Sequence, residues 1–208
     1  MKKSSVFATL MAFAFFGEPA TAQTVLQRVE EDWELQVTQP DESRDAPQVT
    51  TSMLPFGEDD AVLLQFDVNH ATSPSFEPGG MQLRVCEGDE CVANRRLAER
   101  IRLGYESETV SWTQVVQLTD GGYAFGIVDG HGESWGEFGG EAVHGSDGGS
   151  LNAYQPRFSL QNSRVSFAGN RVASLRLLRV RVYNDAGESR EIELNWDAPG
   201  AGTEVLTQ

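Results

Sequence analysis

Residues 29–37 read VEEDWELQV, and this stretch decides the fold prediction. Its apolar residues fall on alternate positions, namely Val29, Trp33, Leu35 and Val37. Its polar residues fill the positions between them, namely Glu30, Asp32, Glu34 and Gln36. Since successive side chains of a strand point to opposite faces, this pattern is typical of a β-strand with one buried and one solvated face.

The same alternation recurs along the chain. Apolar residues share a face in four further segments: Val62, Leu64, Phe66 and Val68; Val110, Trp112, Val116 and Leu118; Tyr123, Phe125 and Ile127; Ile192, Leu194 and Trp196. Turn-forming residues separate these segments at 120–122, 168–170 and 184–187. Regular strands and turns without alternation of strands and helices predict an all-β fold, an antiparallel β-sandwich of the jelly-roll or concanavalin-like kind.

Two segments depart from simple alternation. Around Leu177 and Leu178 the apolar phase shifts by one residue, which predicts a β-bulge. With that bulge, the core face would carry Leu175, Leu177, Val180 and Val182, and the other face would carry Arg176, Arg179 and Arg181. Residues 94–103, NRRLAERIRL, are the only segment for which a short helix is predicted.

Residues 1–22 predict a secretory signal peptide. Lys2 and Lys3 precede an apolar stretch at residues 6–16, and Ala20-Thr21-Ala22 resembles a cleavage site. Residues 23–208 are then expected to form a single secreted β-sandwich domain, periplasmic, at the cell surface or released. No second apolar run follows, so we expect no membrane insertion.

The charge balance restricts the choice of partner. The chain has 16 basic and 31 acidic residues, a net charge of −15. Residues 1–22 hold both lysines and one glutamate, so the predicted mature chain has a net charge of −16 and arginine as its only base. A nucleic acid or an anionic lipid needs a basic patch, so neither is an expected partner.

The two cysteines lie in VCEGDECV, residues 85–92. An even number of cysteines in an exported chain favours a disulfide. A hairpin with residues 87–90 as its loop would bring Cys86 and Cys91 opposite each other. We therefore predict a Cys86–Cys91 bridge, without a redox role, because the spacing is not that of the usual dithiol motif.

The glycine-rich segment at residues 129–149, DGHGESWGEFGGEAVHGSDGG, is the first candidate site. In an extended chain, one face would carry the predicted ligand-binding residues Asp129, His131, Glu133, Trp135 and Glu137, and the other would be nearly bare. An indole can stack on a sugar ring while carboxylates accept hydrogen bonds from its hydroxyls. The sequence therefore favours a polysaccharide or cell-surface glycan as the partner.

Two other interpretations of this segment remain open. Its carboxylates could hold calcium, although the EF-hand spacing is absent, with Ser134 and Gly140 at the two diagnostic positions. It could also be a structural strand whose glycines permit close approach of another sheet. No cofactor is expected apart from that calcium, and no zinc, because His70, His131 and His144 lack ligand spacing.

Glu30, Asp32 and Glu34 form the second candidate site. Pairs of carboxylates perform glycoside hydrolysis, and sandwich glucanases carry an E-x-D-x-x-E signature. The spacing here is E-x-D-x-E, one residue shorter at the third acid. The alternative is that these acids face the arginines at positions 176, 179 and 181 on a neighbouring strand. No serine-nucleophile, phosphate-binding or dinucleotide motif is present, so no catalytic residue is predicted.

Six stretches of the chain carry a resemblance: VEEDWEL (29–35), DAPQVTT (45–51), FEPGGMQLRV (76–85), WTQVVQL (112–118), WGEFGG (135–140) and NRVASLRLLRVRVY (170–183). Together they resemble an uncharacterised family of exported β-rich proteins from planctomycete bacteria. The resemblance implies a signal peptide followed by one β-rich domain, and no activity. Members lack the Cys86/Cys91 pair, which would be a local addition.

These observations favour a secreted, non-catalytic binding module with a glycan as ligand. The alternative is a structural or protein–protein interaction domain of the cell envelope, and the third hypothesis is a glycoside hydrolase. Trp33, Trp112 and Trp196 lie on apolar faces and are predicted to be core, whereas Trp135 lies in a polar context and is predicted to stay outside it.

Overall fold

The computed structural model describes residues 25–37, 49–57, 62–69, 80–88, 90–99, 107–146, 149–159, 172–197 and 203–205. The predicted signal peptide, the turn at 168–170 and His70 lie outside these residues. Within them, no helix is long and apolar enough to cross a membrane.

The described residues contain one short 3-10 helix, Leu151–Ala153, and thirteen strands. The strands are β1 (Leu26–Val37), β2 (Val49–Leu54), β3 (Val62–Asn69), β4 (Gly80–Glu87), β5 (Glu90–Glu99), β6 (Glu108–Thr119), β7 (Gly122–Gly132), β8 (Gly136–Phe138), β9 (Ala142–Gly145), β10 (Gln155–Ser159), β11 (Val172–Asn184), β12 (Ser189–Asp197) and β13 (Thr203–Val205).

These strands form two antiparallel sheets. The seven-stranded sheet has the order β12-β11-β1-β6-β7-β8, and β9 also pairs with β7. The six-stranded sheet has the order β13-β10-β2-β3-β4-β5. The sheets pack face to face around one core, so the predicted all-β, single-domain β-sandwich is confirmed.

The core lies where the alternation placed it. Trp33 of β1 stands directly opposite Trp112 of β6, with ring centroids 6.4 Å apart. Phe66 of the six-stranded sheet meets Trp112 edge-on at 5.3 Å, which joins the two layers. The predicted core face of β7 is also confirmed, since Tyr123 and Phe125 are fully buried. The side chain of Trp196 lies outside the described part.

The predicted β-bulge is present in β11. Leu177 pairs with Trp33 and Arg179 pairs with Asp32, so Leu178 is the extra residue. The bulge restores the alternation, because Leu177 and Val180 on either side of it are both buried.

The predicted helix at residues 94–103 is wrong. Residues 94–99 belong to β5, which pairs with β4 along its length, and residues 100–103 lie outside the described part. The segment has good helix-forming residues, but pairing with a neighbouring strand supplies hydrogen bonds that outweigh this weak preference.

The predicted disulfide between Cys86 and Cys91 is present. The two cysteines are paired residues of the β4–β5 hairpin, and Gly88 in its loop has a φ of 59°, which a glycine adopts without strain. The bridge therefore reinforces the hairpin that the sequence misassigned in part as a helix.

Candidate functional site

The glycine-rich segment folds as a hairpin and not as one extended run. β7 ends at Gly132, a turn occupies residues 133–135, and β8 returns alongside β7. Asp129 and His131 share a face as expected, but the predicted common face for all five residues is wrong. Glu133 and Trp135 lie in the turn, because the chain reverses there.

Glu137 lies beside His131 because strand β8 pairs with β7. It pairs with His131 across the hairpin, and its Oε1 lies 2.9 Å from His131 Nδ1. Both side chains are exposed, His131 by 59% and Glu137 by 86%. Asp129 pairs with Thr113, whose hydroxyl bonds to Asp32 of β1. These residues therefore lie on the outer face, by which we mean the face of the seven-stranded sheet turned away from the other sheet.

Gly130 and Gly132 of β7 lie on its inner side, and Gly130 makes room for Phe138. A Cβ added at Gly130 would lie 2.1 Å from the Phe138 ring. That ring stacks on Phe66 of the six-stranded sheet at 6.3 Å. The sequence predicted that glycines here permit the close approach of another part of the chain. At Gly130 that part is Phe138 of β8, the returning strand of the same hairpin.

Gly130→Ala is expected to destabilise the protein by about 1–3 kcal/mol, because the methyl group would displace Phe138 from its contacts in a packed core. Gly132→Ala is the matched comparison. Its Cβ would meet only the end of the Glu108 side chain at 3.1 Å and Val110 at 3.3 Å, so its effect should be smaller. Urea unfolding measures both, and equal losses would contradict the close approach at Gly130.

A buried carboxylate holds the turn of this hairpin. Glu108, at the start of β6, is 2% exposed and accepts hydrogen bonds from the Ser134 backbone N–H at 2.7 Å and hydroxyl at 2.5 Å. The Trp135 N–H bonds to the Gly132 carbonyl at 3.2 Å. The hairpin tip is thus anchored to β6, which the sequence did not reveal because residues 108 and 134 are far apart in the chain.

Trp135 is half-buried and packs against the hydrophobic core. Its indole nitrogen is buried and has no hydrogen-bond partner among the described residues. The expectation that Trp135 lies wholly outside the core is therefore wrong, because the turn folds the indole back onto the end of the sandwich.

The acids of β1 lie on the same outer face, and the predicted pairing with arginines is confirmed. Glu30 lies opposite Arg181, Asp32 opposite Arg179 and Glu34 opposite Arg176. Arg181 bonds to Glu30 at 2.7 Å, Arg179 approaches Asp32 within 2.6 Å, and Arg176 bonds to Glu34. Such cross-strand pairs contribute a few tenths to about 1 kcal/mol each.

The pKa of Glu30 is lowered, as expected for a carboxylate that is bonded to arginines. Burial tends to raise the pKa of Glu30, but bonds from Arg28, Arg181 and Tyr183 together outweigh burial and lower it. The general acid of a glycosidase needs a raised pKa. Glu30 is therefore poorly suited to that role.

A second buried ion pair lies on the six-stranded sheet. Asp67 is 2% exposed and accepts bonds from the Thr50 hydroxyl and from Arg84 Nε, each at 2.6 Å. Both carboxylate oxygens are used, so this pair has a structural role in holding β2, β3 and β4 together.

The core itself contains a polar cluster that the sequence analysis missed. Glu31 is completely buried. Its Oε2 accepts bonds from Trp33 Nε1 at 2.7 Å and from Gln114 Nε2, and its Oε1 accepts from the Tyr154 hydroxyl. Thr51, on the other sheet, donates to Gln114 Oε1 at 2.8 Å. We call Glu31, Gln114, Tyr154 and Thr51 the Glu31 cluster.

The alternation of apolar and polar residues indicates that two members of this cluster face the core. Position 31 lies in step with Val29 and Trp33, and position 114 lies in step with Trp112 and Val116. A charged or amide side chain at a core-facing position requires a buried partner. The pattern therefore marks Glu31 and Gln114 as candidates, but it does not identify their partners.

Burial raises the pKa of Glu31 to about 7, although the bonds from Tyr154, Trp33 and Gln114 act in the opposite direction. Burial also raises the pKa of Tyr154 well above its ordinary value, and the nearby charge of Glu31 adds to this effect. Glu31 can therefore take up or release a proton near neutral pH.

No set of three or more His, Cys, Asp or Glu side chains in the described part could hold a metal ion. His131 and His144 are both exposed, on β7 and β9.

The chain matches no family model. None of the curated proteins matches it either. Among solved structures, it is similar to a crystal structure of Scytalido-glutamic peptidase with a peptide-based transition-state analogue, with a TM-score of 0.41, 13% identity and 82% of each chain covered. A likeness this distant carries no conclusion about activity, and the resemblance to exported planctomycete proteins stays a prediction.

Proposed function

We propose that this protein is a non-catalytic binding module that acts outside the cytoplasm and takes a hydroxyl-rich ligand, a glycan, on the outer face at its β7–β8 end. The observation that carries the proposal is a difference between the two ends of this face. The acids of β1 are paired with arginines, whereas Asp129, Glu133 and Glu137 are exposed and have no arginine partner among the described residues.

Exposed carboxylates without an arginine partner suit a ligand rich in hydroxyl groups, because each ionised oxygen accepts hydrogen bonds that are stronger than neutral ones. Ser111 is paired with His131 and is exposed beside it. The Glu108 anchor holds the turn in place, so little conformational entropy is lost on binding. The half-buried Trp135 leaves part of its surface accessible at the same tip.

A location outside the cytoplasm is supported by the Cys86–Cys91 disulfide, since such bonds persist in oxidising compartments. It is also the location expected from the signal peptide predicted at residues 1–22.

Removing the charges of these three exposed carboxylates tests the site. We expect Asp129→Asn/Glu133→Gln/Glu137→Gln to lower retention on a polysaccharide array by about tenfold or more, since each bond to an ionised carboxylate would become a weaker bond to a neutral amide oxygen. The melting temperature should change little, because the three side chains are exposed. Trp135→Ala is a poor probe here, because it would also remove packing against the core.

The matched control is Asp120→Asn/Asp185→Asn/Glu193→Gln, which removes the same number of exposed charges elsewhere. An equal loss of retention in the control would assign the effect to net charge and contradict the site. Arrays run with calcium and with a chelator would show whether the three carboxylates act through a bound cation. A wild-type protein retained by no polysaccharide would overturn the glycan proposal.

The second candidate is a structural or protein–protein interaction domain of the envelope. The packing of Trp135 against the core favours it, because the indole then serves to close the end of the sandwich. Absence of polysaccharide retention, together with a large loss of stability in Trp135→Ala, would support this alternative.

A further inference from the structure

The Glu31 cluster joins the two sheets, which strand pairing does not connect, although Glu31 and Gln114 are themselves paired residues of neighbouring strands. Glu31 lies on β1, Gln114 lies on β6, and Tyr154 follows the 3-10 helix and leads into β10 of the other sheet. Thr51 of β2 completes the connection through Gln114. A single carboxyl group therefore lies at the centre of a polar link between the two layers.

We propose that Glu31 is a proton-controlled clamp, which in its protonated form holds the segment Leu151–Gln155 on the core and which weakens when the carboxyl ionises. This device goes beyond the proposed function, because it involves neither the hairpin nor its exposed acids.

The groups of the described part that contact the Glu31 carboxyl carry no positive charge. β1 contributes the neutral indole of Trp33, β6 the neutral amide of Gln114, and β11 the apolar Val180, which pairs with Glu31. The 3-10 segment contributes Tyr154, the only titratable group of the described residues that bonds to Glu31. No cation of the described part contacts the carboxyl, so ionisation leaves a buried charge without a counter-ion.

The geometry accommodates the protonated form without rearrangement. A hydroxyl on Oε1 of Glu31 can donate to the phenolic oxygen of Tyr154, while Oε2 still accepts from Trp33 and Gln114. The buried position of Glu31, which moves its pKa toward 7, agrees with a preference for this form.

Tyr154 is the partner that can move away. Trp33 and Gln114 lie within central strands of the seven-stranded sheet, whereas Tyr154 belongs to a short irregular segment. In addition to the Tyr154 bond, that segment is held by the buried Leu151, by a bond from the Leu26 N–H to Asn152 Oδ1 at 2.9 Å and, at its end, by the pairing of Gln155 with Leu54 of β2. Opening there would hydrate the carboxylate while the rest of the sandwich stays folded.

The proposal is tested by NMR titration of protein labelled with ¹³C at the glutamate carboxyl groups. We expect one carboxyl to titrate near pH 7 and to be missing in Glu31→Gln. In parallel, hydrogen exchange at the backbone amides of residues 151–155, corrected for intrinsic rates, should show opening that increases about tenfold to a hundredfold from about pH 5 to about pH 8. Glu31→Gln should show no such increase.

Tyr154→Phe provides a second variant that keeps the ring and removes the hydroxyl. Burial of the carboxyl raises the pKa of Glu31 and outweighs the Tyr154 bond, which lowers it, so ionisation weakens the clamp through burial. Tyr154→Phe keeps the ring that buries the carboxyl and loses only the bond, so the Glu31 titration should move to higher pH. A Glu31 carboxyl that titrates at its ordinary value would overturn the proposal, and so would the same pH-dependent opening in Glu31→Gln or an unchanged midpoint in Tyr154→Phe.

Discussion

At pH 8, Glu31→Gln is expected to be more stable than the wild-type protein by about 3 kcal/mol, and at pH 4 the two should be nearly equal. The folded-state pKa of Glu31 is about 7 against an ordinary value of 4.5, and this difference sets the magnitude. The result would be unusual, since removal of a buried hydrogen-bonded group normally destabilises a protein.

The direction follows from proton binding. A carboxyl whose pKa is raised on folding binds more protons in the folded state between pH 4.5 and about 7. Its contribution to stability is therefore greatest in acid and decreases as the pH rises through this window. Glutamine imitates the protonated form, because its oxygen can accept from Trp33 and Gln114 while its amide donates to Tyr154.

Urea unfolding of both proteins across this pH range measures the difference. Glu30→Gln is the matched control on the same strand, with the opposite expected sign. Because the pKa of Glu30 is lowered by its arginine partners, ionised Glu30 stabilises the fold above its ordinary pKa and loses this effect as the pH falls. A Glu31→Gln protein that is less stable than wild type at pH 8 would contradict the account of Glu31.

Trp112→Ala is expected to lower the free energy of unfolding by about 3–5 kcal/mol, the usual range for a large aromatic residue in a core. Trp112 is 2% exposed and contacts Trp33 on its own sheet and Phe66 on the other. The cavity would therefore open at the contact between the two layers.

Urea unfolding at fixed pH measures this loss, with Trp112→Phe as the control that keeps part of the ring. Trp112 Nε1 has no hydrogen-bond partner among the described residues, so the control loses volume and no bond, and its effect should be smaller. A loss below about 1 kcal/mol for Trp112→Ala would mean that the layers do not meet there.

The sequence was sufficient to predict four features of the fold. These are the strand pattern, the bulge at Leu178, the pairing of the β1 acids with the arginines of β11, and the disulfide. Each depends on the direction of side chains within one strand, or on residues close in the chain, as in the hairpin that joins Cys86 and Cys91. Residues 94–99 were misassigned because their helix preference is local, whereas pairing with β4 depends on the fold.

The candidate site was predicted less well. The sequence marked Asp129, His131 and Glu137, but it did not show that the chain reverses at residues 133–135 or that the turn places Trp135 against the core. Glu108, which holds this turn, lies 26 residues before Ser134, so no local pattern connects them.

By itself, the sequence determined which large apolar side chains of β1, β3, β6 and β7 point into the core, because side-chain direction alternates with a period of two residues whatever the neighbouring strands are. The tertiary structure alone decided which buried polar groups meet. Glu31 bonds to Gln114, 83 residues away, because β1 pairs with β6, and to Tyr154, 123 residues away, because the two sheets pack together. For that reason the sequence predicted a sandwich, and only the packed structure showed a carboxyl group with a pKa near neutrality inside it.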